Sequence, residues 1–331
     1  MAGLDCQVLI LGAGWTATFL IPLLQQRDIS FAATTTDGRT LANGVPTIAF
    51  RYDPDAPDQV AALPRAKTVL VTFPLRGAGA SRVLVDTYAA SHQSGAAALS
   101  ATGPASAPTP TPTLTPTPTS ANPHPHPYSS SSHFRFIQLG STGIWQGKQG
   151  QTGSGSDHWL TRHSPYDNSN PRVIAEDELL QIGGCVLNLA GLWGGQRDPR
   201  NWVERVAKTK DDVRGKKSLH LIHGVDVARA IAAVAGCDES TWGEKGRGQR
   251  WMLTDSFVYD WWSLLASWAD LGEGKDAGET QPIEQARWVL ELMAEGEGVR
   301  ALPRSMEALG RCYDSREFWT TFGLVPLKGG V

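Results

Sequence analysis

Gln7-Val8-Leu9-Ile10-Leu11-Gly12-Ala13-Gly14-Trp15-Thr16-Ala17 is the stretch that decides how the rest of the chain is read. Val8 to Leu11 is an unbroken apolar run, the pattern of a parallel strand buried on both faces. Gly12 to Ala17 then matches G-x-G-x-x-G/A, and Phe19, Leu20, Leu23 and Leu24 recur behind it at helical spacing. Strand, glycine turn and helix in that order make a dinucleotide-binding turn. Gly12 permits the tight turn, Gly14 lets backbone approach a pyrophosphate, and Ala17 is small enough for helix to close on strand. Trp15 and Thr16 lie between, where the free N–H groups of a helix start face an anion. Pro22 falls inside the helical run, removes one backbone bond and predicts a kink.

Outward from this turn, a second strand is expected at Ile29–Thr34, and in such a fold its end selects the cofactor. The residues there are Thr34-Thr35-Thr36-Asp37-Gly38-Arg39. No acid stands at the strand end itself, so Thr34, Thr35 and Arg39 are the candidates for a 2′-phosphate, which favours NADP. Asp37 is the candidate for the ribose hydroxyl of NAD. A third strand is expected at Thr47–Tyr52 and a fourth at Thr68–Phe73. The continuation from Pro74 to Gly79 falls where a cofactor crevice is lined, so Phe73 and Pro74 are counted with the cofactor site. Arg76 is a candidate contact for phosphate or substrate.

A helix is expected at Ser81–Ala90. From about Gln93 to Ser132 the chain is rich in Ala, Ser, Thr and Pro. Such a segment buries too little apolar surface to offset its chain entropy, so residues 93–132 are expected to form a disordered insertion. His124 and His126 within it lack the folded surroundings of a metal site. Strands at Phe134–Leu139, Cys185–Leu189, Leu219–Ile222 and Trp251–Leu253 then alternate with helices at Pro171–Ile182, Asp226–Ala235 and Phe257–Trp268. The alternation implies an α/β chain, a Rossmann-type doubly wound parallel sheet with a small C-terminal substrate lobe. The domain then covers residues 1–92 and 133–331, with the lobe at about 190–331.

The chain has 331 residues, is 41% hydrophobic and 19% charged, and carries a net charge of −3. That balance argues against nucleic acid or an anionic membrane as partner, since both need a basic field. Cys6, Cys185, Cys237 and Cys312 form no CxxC pair, which reads as reduced thiols and no metal site. No apolar run approaches the roughly 18 residues of a membrane span, and the N-terminus lacks the basic start of a signal peptide. The cytoplasm is the expected location.

The order of motifs resembles the short-chain dehydrogenase/reductase superfamily, in its extended or atypical epimerase-like branch. The matching segments are LGAGWTA at 11–17, LGSTGIWQG at 139–147, SPYDNSNPRVIAEDELL at 164–180, LNLAGLWGG at 187–195 and LIHGVDVARAI at 221–231. The resemblance implies that Ser141 orients a substrate carbonyl. It also implies a Tyr-x-x-x-Lys pair on the next helix, the lysine tuning the tyrosine towards neutrality. Here that pair is broken. Arg172, four residues before Glu176, aligns with the lysine, and the tyrosine position is Asn168. Arg172 can hold ribose hydroxyls but cannot relay a proton. Tyr166, two residues from the tyrosine position, and His163 are the substitute proton donors. His158 lies in the same loop, and Trp145 replaces a tyrosine usual in the motif after the fifth strand.

His223 and Asp226 match a motif that packs cofactor domain against substrate lobe. Asp198, Arg200 and Arg205 fall in the pocket region, either as ligands of an anionic substrate or as exposed ion pairs. The function implied is an NAD(P)-dependent oxidoreductase or epimerase-like enzyme acting on a small polar molecule, with a homodimer as the implied assembly. The alternative is a non-catalytic NAD(P)-binding sensor or scaffold that has lost the pair.

Overall fold

A strand with apolar side chains on both faces needs a strand on each side and a helix above and below, and β1 (Cys6–Leu11) has all four. A computed structural model of the chain describes residues 4–93, 134–146, 159–272, 282–295 and 298–331. The remaining strands of the central sheet are β2 (Phe31–Thr35), β3 (Ile48–Ala49), β4 (Ala66–Val71), β5 (Arg135–Ser141), β6 (Cys185–Leu189) and β7 (Arg250–Leu253). All seven run parallel, in spatial order β7-β6-β5-β4-β1-β2-β3. Leu9 stands opposite Ala32 of β2 and Val69 of β4. The order reverses between β1 and β4, and the carboxyl ends of these two strands open the crevice in which such sheets bind ligands.

Helices α1 (Ala17–Gln26), α2 (Ala80–Gln93), α3 (Pro171–Gln181) and α4 (Gly224–Gly236) cover the sheet. Val8, Ile10, Leu139 and Leu187 meet Leu20, Ile21 and Leu24 of α1 and Val227 and Ile231 of α4. Leu9, Leu11, Val69 and Val186 meet Leu84 and Tyr88 of α2 and Ala175 and Leu179 of α3 on the other face. Gly224 starts α4 against the ring of Phe19, where a Cβ would overlap that ring. The α1 helix continues through Pro22, whose exposed position leaves the carbonyl one turn earlier open to water.

A further apolar cluster forms where α5 (Trp261–Ser267) packs on α6 (Glu284–Glu295), around Trp262, Leu265, Trp268, Val289 and Leu292. The helix expected from Phe257 begins only at Trp261, because Tyr259–Asp260 pairs antiparallel with Ser218–Leu219 and Asp260 caps the helix through Trp262 N–H at 2.9 Å. The third strand is shorter than expected: Ile48 and Ala49 alone pair with β2, at an exposed edge. The insertion expected at 93–132, with His124 and His126, lies outside the described residues except for Gln93; so does His158. Among the described residues no helix is long and apolar enough to cross a membrane. The four cysteines are free thiols.

Candidate functional site

The chain leaves β1 through Gly12 at φ +90°, a backbone setting that side chains resist. A Cβ on Gly12 would stand 2.7 Å from Thr72 Oγ1 and 3.1 Å from Phe73 Cδ1. Gly12 N–H donates to Thr34 Oγ1 at 3.0 Å, and Thr72 Oγ1–H donates to Gly12 O at 2.6 Å. Side chains from β2 and from the end of β4 thus hold the turn at the point where the strand order reverses. Gly14 is different: it is exposed, and a Cβ there would meet nothing within 4 Å. The N–H groups of Ala13, Gly14 and Ala17 donate to backbone carbonyls within the turn and at Thr34. Those of Trp15 and Thr16 have no acceptor among the described residues. Open space before Gly14, two unused donors and a ten-residue helix behind them fit a paired phosphate. Ala17 is buried and closes α1 on the strand.

The end of β2 packs against the glycine turn. Thr34 is wholly buried and its oxygen accepts from Gly12 N–H, so it braces the turn. Thr35 is buried too, with its Oγ1 2.7 Å from Thr47 Oγ1. Arg39 remains exposed, its Nη1 3.1 Å from Asp37 Oδ1. The Thr35 hydroxyl first, and Arg39 second, hold the Asp37 carboxyl below its ordinary range.

Across the crevice, Phe73 rests beside Gly12 and stacks on Tyr52 with centroids 6.2 Å apart, while Pro74 and Arg76 are exposed. Gly77 N–H donates to Pro171 O at 2.7 Å, which joins the segment after β4 to the start of α3 and brings Arg76 and Arg172 to adjoining backbone. Ser141 ends β5; its Oγ accepts from Gly143 N–H at 3.1 Å and caps a single 3₁₀ turn, Thr142–Trp145. The hydroxyl proton of Ser141 is left for another acceptor. Arg172 is half-buried at the second position of α3, and its charge acts on the Glu176 carboxyl one turn along.

Glu176, one turn along α3, is buried. It binds the Arg250 guanidinium and accepts from Asn188 Nδ2 at 3.0 Å, while its Oε1 lacks a partner. Burial pushes the Glu176 carboxyl up, against the pull of Arg250. The sequence did not single out this network, because Glu176, Asn188 and Arg250 meet only through tertiary pairing of β6, β7 and α3.

No sequence family model matches the chain, and no curated protein sequence matches it. Solved structures do. A short-chain dehydrogenase/reductase superfamily protein of Agrobacterium tumefaciens with bound NAD is similar over 98% of this chain and 93% of that one, with a TM-score of 0.51 and 10% identity. The UDP-glucose 4-epimerase of Thermus thermophilus in complex with NAD is similar over 98% and 95%, with a TM-score of 0.52 and 11% identity. RMD from Pseudomonas aeruginosa complexed with NADPH is similar over 98% and 94%, with a TM-score of 0.51 and 12% identity. The chain shares the Rossmann-type fold of these short-chain dehydrogenase/reductase-like structures.

The Tyr-x-x-x-Lys pair that the resemblance implies falls where α3 begins. Pro171 opens α3 and Asn170 caps it through Arg172 N–H at 3.0 Å, so Asn168 precedes the helix and is exposed. Tyr166 is held from the side of α3. Its hydroxyl donates to Asp177 Oδ1 at 3.0 Å and its ring lies under Arg250, with Cζ 4.8 Å from the centroid. Burial, then Asp177, raises the Tyr166 pKa further from neutrality. His163 is exposed and sits 3.1 Å from Glu317 Oε2, beside the β7 edge of the sheet and away from the Gly12 turn. Asp198 accepts from Arg200 N–H at 2.9 Å and caps a short turn. His223 caps α4, and buried Asp226 accepts from Leu327 and Lys328 N–H, both at 2.9 Å.

Proposed function

We propose that the chain is an NAD(P)-dependent oxidoreductase or epimerase-like enzyme acting on a small polar substrate. The observation that carries this reading is the Gly12–Ala17 turn, where a side chain is excluded at Gly12 and open space with two unused backbone donors beside it lies at Gly14. A nicotinamide cofactor bound there supplies or accepts a hydride. In this reading Gly12, Gly14, Trp15, Thr16 and Ala17 form the phosphate turn, and Phe73 and Pro74 line the crevice. Ser141 donates its hydroxyl hydrogen to the substrate carbonyl. Arg172 holds ribose hydroxyls and steadies negative charge on the reacting oxygen; a guanidinium keeps its charge and does not relay a proton.

Tyr166 and His163 are occupied elsewhere, so the proton is exchanged with solvent. Asp37 and Arg39 face each other at the cofactor-selecting position, one suited to the ribose of NAD and the other to the phosphate of NADP. Calorimetric titration with NADPH and NADH, followed by turnover of a panel of small carbonyl and hydroxyl compounds, tests the reading. Micromolar binding of either cofactor and hydride transfer lost in Ser141→Ala support it. Binding without turnover across the panel defeats the enzymatic part, and no binding defeats the whole.

A further inference from the structure

The residue inside the fingerprint carries an arginine from far along the chain. The Trp15 indole is fixed by its Nε1–H, which donates to Gly194 O at 3.0 Å, and by the edge of Phe19, with centroids 5.0 Å apart. Gly194 and Arg197 close a two-residue turn through reciprocal backbone bonds of 2.8 and 3.1 Å, with Gly194 at φ +104° and Gly195 at φ +58°. That turn delivers the Arg197 guanidinium to the Trp15 ring, with Cζ 4.6 Å from its centroid. Arg197 is exposed and has no carboxylate partner among the described residues. The neighbouring acid, Asp198, is engaged as a cap.

A guanidinium stacked on an aromatic face keeps its planar N–H edge outward, in the geometry that meets phosphate in a bidentate manner. The backbone N–H of the same Trp15 is one of the two unused donors of the hollow. We infer that Arg197 is a phosphate-binding side chain of the cofactor site, delivered by the segment after β6 and aimed by Trp15. This rests on the dinucleotide reading above. The pyrophosphate is then held from two sides: by the α1 amides and by a cation more than 180 residues away in sequence. The segment after β6 is also the start of the expected substrate lobe. The Trp15–Gly194 bond therefore fastens the cofactor turn to that lobe.

The test is calorimetric titration of the full chain with NADPH, NADH and ADP-ribose, the last carrying the pyrophosphate without nicotinamide. Arg197→Ala should weaken the bound dinucleotide and ADP-ribose by the same factor, about tenfold, as expected for loss of a charge-assisted hydrogen bond. It should also flatten the salt dependence of binding. Arg197→Lys should recover part of the loss. Arg27→Ala removes an equal charge at the opposite end of α1 and should bind as wild type. Wild-type-like affinity of Arg197→Ala for ADP-ribose, or equal losses in the Arg197 and Arg27 variants, overturns the inference while leaving the cofactor reading intact. Failure of the wild-type chain to bind any of the three overturns both.

Discussion

Gly12 and Gly14 lie two residues apart and do opposite work. At Gly12 both the positive φ and the 2.7 Å approach to Thr72 Oγ1 come from the protein itself. Gly12→Ala should therefore destabilise the fold by about 1–3 kcal/mol, read by urea denaturation. Gly14 has a negative-φ backbone and an empty neighbourhood, so Gly14→Val should unfold at nearly the wild-type denaturant concentration. If the hollow is a phosphate cradle, that same variant loses NADPH and NADH binding. Wild-type cofactor affinity in Gly14→Val would contradict the site. Tyr166 offers a complementary case. Its hydroxyl serves Asp177, so Tyr166→Phe should cost about 1 kcal/mol of stability and leave hydride transfer unchanged. A collapse of turnover would return Tyr166 to the chemistry.

At the scale of elements, what the sequence disclosed and what it hid follow one physical division. Buried strands such as β1, β4, β5 and β6 announce themselves as apolar runs, because no face of them meets water. Gly12 was legible for a similar reason, its residue type being demanded by the positive φ of the turn. The bond from Gly12 N–H to Thr34 is not legible in sequence, because a hydroxyl at a strand end looks the same whether it turns towards a ligand or towards the chain. Likewise the Glu176–Arg250 contact and the Arg197–Trp15 stack join segments whose proximity no local pattern encodes.

Helix α2 shows the same limit. Its first residue, Ala80, caps nothing, and the cap comes from Glu178 of α3, whose carboxylate accepts from Gly79, Ser81 and Arg82 N–H at 3.0, 3.0 and 3.1 Å. Glu178→Ala leaves three helix-start donors unserved and should lower stability by about 1–2 kcal/mol, while Glu178→Gln should recover about half. Chemical denaturation of the two variants checks the difference, and equal stability of all three chains would refute the capping role.

Across the whole molecule, two buried ionisable groups tie together segments of the second half of the chain and oppose each other in pH. Asp255 follows β7. Its N–H donates to Leu221 O at 2.8 Å, and its carboxylate accepts from Tyr259 O–H at 2.6 Å, while Tyr259 Oη in turn accepts from Gly330 N–H at 2.9 Å. Burial pushes the Asp255 pKa from 3.8 up to about 6, and the nearby Asp226 acts in the same direction. The folded state therefore holds this proton more tightly than the unfolded state. Its contribution is full below pH about 4 and is lost as pH rises through about 6, by roughly 3 kcal/mol at most.

His220 behaves in the opposite sense. It is buried against Tyr313, whose N–H donates to His220 Nε2 at 3.0 Å, and burial lowers its pKa to about 3. The neutral imidazole contributes stability above about pH 6.5 that is lost as pH falls towards 3. Between pH 4 and 6 the two contributions partly cancel, so the wild-type curve alone conceals both. Urea denaturation of wild type, Asp255→Asn and His220→Gln at several pH values separates them. Wild-type stability relative to Asp255→Asn should fall as pH rises from 4 to 7, and wild-type stability relative to His220→Gln should rise over the same interval. Two difference curves of the same slope would show that these side chains do not tie those segments together in the protonation states that their burial dictates.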